Sequence, residues 1–176
     1  MREKSLLLIA STELFIGGIL GVAGSFAPSD SLRTLLWGLD GTALIIAGAL
    51  LVIHYFRKGY DLAAAGFLIF TIGEALILSS SAIDLDDNLS SFGAGTALWA
   101  ASLWLISSQK VFNVFIRCTG LIASALFAVV SIEIFLGYSL NALTKPLPFY
   151  AYPFFAITLF GWAWKLLKES SLLRSQ

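Results

Sequence analysis

The chain has 176 residues, of which 58% are hydrophobic and only 12% are charged, and its formal net charge at neutral pH is zero. A soluble globular domain carries about a quarter charged residues, so this composition excludes an ordinary soluble domain. The neutral charge offers no basic surface for nucleic acid. His54 and Cys118 are the only residues of their types, too few for a metal cage of histidines and cysteines, and we expect no cofactor.

Long apolar segments separated by short polar turns predict an all-α integral membrane protein. A β-barrel would instead show alternating apolar and polar residues in strands of roughly ten. A helix needs about 20 apolar residues to cross a bilayer, and six segments satisfy this length. We predict one domain over 1–176, a compact bundle of six transmembrane helices in three sequential hairpins, at about 5–26, 34–56, 61–82, 91–108, 111–137 and 149–167.

The positive charges predict the orientation of this bundle. With the N-terminus in the cytoplasm, most lysines and arginines fall on the cytoplasmic side, and only Arg33 and Lys145 fall outside. Basic residues are enriched in cytoplasmic loops, so we expect a multi-pass protein of the plasma or inner membrane with both termini in the cytoplasm. The inner set comprises Arg2, Lys4, Arg57, Lys58, Lys110, Arg117, Lys165, Lys168 and Arg174.

Aromatic and acidic residues are consistent with the same predicted orientation in the membrane. Trp37 and Tyr152 lie near the predicted outer boundary, while Trp162 and Trp164 lie near the inner one, where aromatic side chains anchor helices. The turn after the third helix carries Asp84, Asp86 and Asp87, which fall outside.

Glu74 lies deep in the third predicted helix, with no lysine or arginine at its level. A carboxylate there is costly unless it is protonated, paired or hydrated. One interpretation is a neutral carboxyl that hydrogen-bonds across helices, to Thr42, Thr96 or Ser102. The other is a proton or solute site in a hydrated cavity open to the outside, with Thr71 on the same face.

Asp40 is two turns below the predicted outer end of the second helix and could line the same cavity as Glu74. The alternative for Asp40 is a carboxylate that reaches the headgroups or caps a helix break at the adjacent glycines. Together, Glu74, Asp40, Thr71, Thr42 and Thr96 are the candidate proton or solute site.

Glu13 and Arg117 lie at similar predicted depth in the first and fifth helices, each on a face with small residues. Charges inside a membrane usually pair, so we predict a Glu13–Arg117 ion pair, either structural or gating. We expect Glu133 to be interfacial because it lies near the outer end of the fifth helix. We expect His54, beside Arg57 and Lys58, to face the headgroups, with a proton-relay role as the alternative.

Small residues recur at a spacing of four in three of the predicted helices. Such stripes let helix backbones approach closely, either within the chain or against a second copy or another membrane protein. They are Gly17, Gly21 and Ser25; Gly93, Ala97 and Ala101; and Gly120, Ser124 and Ala128. Gly-Thr-Ala-Leu also occurs twice, at 41–44 and 95–98, which is compatible with a repeat of hairpins or with chance in so apolar a chain.

The chain contains no motif of an enzyme: no paired histidines at helical spacing, no nucleophile elbow and no glycine-rich phosphate loop. Its plan of six short helices resembles, in topology alone, small bacterial six-helix membrane proteins such as the acid-stress HdeD-like group. The sequence therefore favours a non-enzymatic membrane interaction, accessory or stress-response protein, with the bilayer as its surroundings. The alternative is a small permease or channel in which Glu74 and Asp40 bind a proton, a cation or a small polar solute.

Overall fold

The computed structural model describes residues 2–81, 88–140, 142–147 and 149–172. Within these residues the chain forms six helices and no strand, which confirms the all-α prediction. The predicted acidic turn with Asp84, Asp86 and Asp87 lies outside the described residues, as does Arg174. The helices are α1 (Arg2–Ser25), α2 (Asp30–Arg57), α3 (Asp61–Ser81), α4 (Leu89–Ser108), α5 (Val114–Phe135) and α6 (Ala151–Leu172).

Side chains and glycines at the turns determine where α2 and α5 begin and end. The Ser29 hydroxyl accepts the Leu32 N–H at 3.3 Å and caps α2, and Asn113 caps α5 by accepting the Ile116 N–H at 3.0 Å. The Asn113 cap explains why α5 starts after the position expected from hydropathy, since the cap residue itself is not helical. Gly59, with φ 74°, lies in the turn after α2 in a conformation that favours glycine.

The six helices form a closed ring in which each helix contacts its neighbours in the chain and α6 contacts α1. Successive helices run in opposite directions, so the ring has two distinct ends. We call the end that carries both termini and the α2–α3 and α4–α5 connections the termini end. We call the opposite end, with the α1–α2 and α5–α6 connections, the hairpin end.

Aromatic side chains fill the interior of the ring toward the termini end. Trp162 is fully buried and meets Phe67 edge-on, with ring centroids 5.0 Å apart. The Tyr55 ring stacks on Phe67 with centroids 5.3 Å apart, and the Phe112 ring lies 5.8 Å from that of Trp162. Such pairs contribute about 0.5–1.5 kcal/mol each beyond the area they bury. This aromatic core closes the termini end of the interior.

The outward faces of the helices are apolar, which is the reverse of a soluble protein. Ile19, Leu39 and Phe115 are examples, exposed by 57%, 50% and 67%. Exposed apolar patches on soluble proteins rarely exceed a few hundred Å². Among the described residues, five helices are long and apolar enough to cross a membrane: Glu3–Ser25, Asp30–Arg57, Asp61–Ser79, Leu89–Ser108 and Val114–Phe135.

Candidate functional site

A cavity of about 230 Å³ lies inside the ring toward the hairpin end, and both Asp40 and Glu74 line it. Asp40 comes from α2 and Glu74 from α3, two helices that pack side by side. The rest of the wall comes from α1, α4, α6 and the α5–α6 connection and is largely apolar or aromatic. The structure thus brings the two acids of the predicted proton or solute site to one cavity.

Asp40 lies against two glycines of α1. A Cβ atom on Gly21 would lie only 2.7 Å from Asp40 Oδ2, and one on Gly17 would lie 3.2 Å from Oδ1. A side chain at Gly21 would displace the Asp40 carboxyl, and one at Gly17 would first meet Leu44, whose Cδ2 would lie 2.5 Å from the added Cβ. The predicted stripe of small residues on α1 therefore has a role within the chain, because it makes room for Asp40. Oδ1 is buried without a hydrogen-bond partner among the described residues.

Glu74 is 2% exposed, and its Oε2 also has no hydrogen-bond partner in the described part of the chain. The Trp99 indole N–H faces this carboxyl but does not reach hydrogen-bond geometry, so within the same residues Trp99 Nε1 is unpartnered as well. Asp40 and Tyr152 lie close enough to interact electrostatically with Glu74. Two carboxyl oxygens of the site, Asp40 Oδ1 and Glu74 Oε2, are therefore without a partner among the described residues.

No lysine, arginine or histidine is among the described residues that line the cavity. Glu74 is buried and Asp40 is half-buried, so two carboxylates here without a counter-ion would repel each other and lose much of their hydration, which costs several kcal/mol for a fully buried ion. Each carboxylate charge is therefore costly unless a proton, a bound cation or water offsets it. A site of this kind can exchange a proton for a cation.

The threonines predicted to join this site do not line the cavity. Thr42, Thr96 and Thr71 each donate their hydroxyl to a carbonyl three or four residues earlier in their own helix, at 2.8, 3.0 and 2.9 Å. Ser102 does the same at 2.8 Å. Each of these hydroxyls satisfies a backbone carbonyl and supplies no hydrogen bond to Glu74.

The predicted ion pair between Glu13 and Arg117 is not formed. The ring places α1 beside α2 and α6, so α1 and α5 are not neighbours. The Arg117 guanidinium donates instead to Ser107 O at 2.8 Å and Ser108 O at 3.3 Å, at the end of α4. Arg117 therefore ties α5 to unpaired carbonyls at the end of a neighbouring helix.

A charged cluster at the termini end joins α1, α2 and α6. Lys58 forms an ion pair with Glu169 and lies 3.6 Å from Glu3 Oε1. His54, which the sequence predicts among the headgroups, is only 3% exposed and lies 3.8 Å from both acids. Burial disfavours the charged Glu169, but the hydrogen bond from Lys58 and the nearby Lys165 outweigh burial and hold the pKa of Glu169 below its ordinary value. No pattern in the sequence indicates that the three helix ends meet.

Sequence reasoning also missed Trp99 and Tyr152 as walls of the cavity. The sequence predicts Tyr152 at the membrane boundary, but Tyr152 lies inside the ring and contacts Trp99 at a centroid distance of 6.3 Å. Trp99 lies at the centre of the predicted fourth helix, far from the boundaries where tryptophan is enriched. A tryptophan at the middle of a membrane helix needs a partner for its N–H. The position of Trp99 in the sequence could therefore have indicated that its N–H faces a polar group inside the protein.

The other predicted stripes of small residues also serve packing within the chain. Gly93 of α4 faces Ile134 of α5, with room for no side chain, since a Cβ would lie 2.8 Å from Ile134 Cγ2. On α5, Ser124 donates to Ala100 O at 2.7 Å across the helix pair. Ala101 is exposed and is the part of these stripes that stays open to a partner.

Comparison with known proteins gives no match: no family model, no curated protein and no solved structure matches the chain. No group of three or more metal-ligating side chains occurs among the described residues. The function of the site has to follow from its own geometry.

Proposed function

We propose that this protein is a small multi-pass permease of the cell membrane in which Asp40 and Glu74 exchange protons for a cation. The single observation that carries the proposal is the convergence of both carboxyl groups on one cavity, with unpartnered oxygens and no cationic side chain among the described lining residues. Ionisable groups inside a membrane usually mark substrate or proton pathways. A purely structural pair of acids would have all its oxygens paired, whereas each of these has one oxygen without a partner in the described part of the chain.

The apolar outer surface and the five apolar helices support a place in the bilayer. The basic residues Arg57, Lys58 and Lys110 fall at or near the termini end, which we therefore place in the cytoplasm. The cavity then lies in the outer half of the membrane. The aromatic core around Trp162 separates it from the cytoplasm, so a transport cycle would have to rearrange that core.

An interaction or accessory role, which the sequence favoured, predicts that every buried acid is paired. Within the described residues, Asp40 Oδ1 and Glu74 Oε2 do not meet that expectation. For this reason we prefer the permease.

Liposomes that contain the protein and an internal pH dye test the exchange directly. We expect an external pulse of Na⁺, K⁺ or benzyltrimethylammonium, a cation without a neutral form, to release protons faster than in empty liposomes. Glu74→Gln and Asp40→Asn should abolish this release because an amide cannot exchange a proton. Glu133→Gln removes a carboxyl that does not line the cavity and should leave the release unchanged. Failure of all three cations, or unchanged release in Glu74→Gln, would overturn the proposal.

A further inference from the structure

We propose that the cation taken by the Asp40–Glu74 cavity is a small organic ammonium with an apolar or aromatic body. This inference rests on the proposed exchange function and names its substrate class. It is carried by three features of the cavity: its walls, its opening and its size.

Aromatic rings line the same cavity as the acids. They belong to Trp99, Tyr152 and Phe155, and the Trp99 ring contacts both others, with centroids 6.3 Å from Tyr152 and 4.9 Å from Phe155. The face of an aromatic ring attracts an ammonium group within about 6 Å of its centroid, and the attraction is strongest when water is excluded. A carboxyl pair beside such rings can hold an ammonium head, whereas a small metal ion would have too few oxygen ligands.

Three of the residues that line the cavity are exposed at the molecular surface, two in or just after α1 and one in α6, and we infer that the cavity opens there. They are Val22, Phe26 and Pro153, all of them apolar. A strongly hydrated ion would have to pass this apolar rim without its water. An amphipathic ammonium dissolved at the lipid surface can pass the rim with its apolar part leading, since that part leaves one apolar medium for another.

The size of the cavity limits the ligand. An apolar cavity of about 150 Å³ takes up benzene, so by proportion about 230 Å³ accommodates roughly nine non-hydrogen atoms. Phenethylammonium has this size and the required chemistry. Its ammonium would lie between the two carboxyl groups, and its ring would lie among the aromatic and aliphatic side chains.

Charge balance fixes what happens on binding. One carboxyl group gives up its proton to water and pairs with the ammonium, while the other carboxyl keeps its proton. Asp40, Glu74 and Tyr152 are the titratable groups that face the bound head, and none of the described lining residues is cationic. The cavity thus has the same net charge before and after binding.

Binding to the purified full chain in a neutral maltoside detergent tests the substrate class. We compare phenethylammonium with 2-phenylethanol, which has the same shape without the charge, and with Na⁺, which has the charge without the body. We expect phenethylammonium to bind at least about tenfold more tightly than 2-phenylethanol, because a charged hydrogen bond replaces a neutral one. Binding should release one proton to a pH indicator. The Asp40→Asn/Glu74→Gln double variant should remove both the preference and the proton, while Glu133→Gln retains them.

Equal binding of the alcohol and the ammonium would overturn the inference, and so would binding of Na⁺ as tight as that of phenethylammonium. The comparison of ligands on the unmodified protein keeps the test valid even if the double variant fails to fold. If Na⁺ or K⁺ drives proton release in liposomes but phenethylammonium does not bind, the inference fails while the proposed exchange stands. If no cation drives release, the proposed function itself fails.

Discussion

At the scale of single residues, the Asp40–Glu74 pair shows what depth in a helix can and cannot predict. The sequence indicates that both acids lie within apolar helices and that Glu74 lacks a cation at its level. The sequence does not indicate where the Asp40 carboxyl finds space. That space exists only because a residue on another helix has no side chain. Gly21 provides it, and glycine is frequent in membrane helices simply because it lets backbones pack closely.

The contact between Gly21 and Asp40 makes a testable prediction. Gly21→Ala brings a methyl group to 2.7 Å from Asp40 Oδ2, so the carboxyl must shift, and the variant should lose the gain in helix stability of about 0.5–1 kcal/mol that alanine otherwise gives. Gly38→Ala is the matched control, since a Cβ at Gly38 meets nothing within 4 Å. It should stabilise the helix slightly, by about 0.5–1 kcal/mol. Thermal unfolding in detergent measures the stability of both variants. Equal changes in Gly21→Ala and Gly38→Ala would show that Asp40 does not lie against α1.

At the scale of elements, α6 shows why hydropathy predicts a helix better than it predicts the face of that helix. The sequence predicts that Trp162 and Trp164 both anchor the helix at the membrane boundary. Trp162 is instead fully buried, whereas Trp164 is 65% exposed. Residues two apart point to nearly opposite sides of a helix. Both sides of these helices are apolar, so no change in polarity marks the side that faces the core.

This difference predicts unequal effects of the same substitution. Trp162→Ala removes a ring that contacts Phe67, Phe70 and Phe112 and should lower the free energy of unfolding by about 3–5 kcal/mol. Trp164→Ala removes an exposed ring of the same size and should cost at most about 0.5 kcal/mol. Denaturant titration of the two variants measures both losses of unfolding free energy and so checks their difference. A larger loss for Trp164→Ala would place the core on the other face of α6.

At the scale of the whole molecule, the ring accounts for both a success and a failure of sequence reasoning. The six helices follow from six apolar segments, and short connections force neighbours in sequence to become neighbours in space. The closure of α6 on α1 has no local signal. Because of this closure Glu13 is separated from Arg117, and Lys58 meets Glu3 and Glu169. Which charged residues pair depends on the order of the helices around the ring of six. The depth of each residue in its helix could not predict that order.

The ring also determines where the cavity can exist. Aromatic side chains fill its interior at the termini end, and the glycines of α1 leave space at the hairpin end. An acid pair at the level of the aromatic core would have had no room for a ligand. We therefore expect the space beside Asp40 and Glu74 to hold exchangeable protons.

Infrared difference spectroscopy tests this claim most directly, because a neutral carboxylic acid and a carboxylate absorb at separate frequencies. Spectra of the protein in lipid are recorded before and after a shift from neutral to alkaline pH, because ordinary exposed carboxyl groups are already ionised at neutral pH and do not contribute to the difference. We predict a neutral-acid band that disappears in the unmodified protein, is altered in Glu74→Gln and in Asp40→Asn, and is unchanged in Glu133→Gln. A neutral-acid band that is identical in Glu74→Gln, Asp40→Asn and the unmodified protein would contradict the claim, because the exchangeable protons would then lie elsewhere.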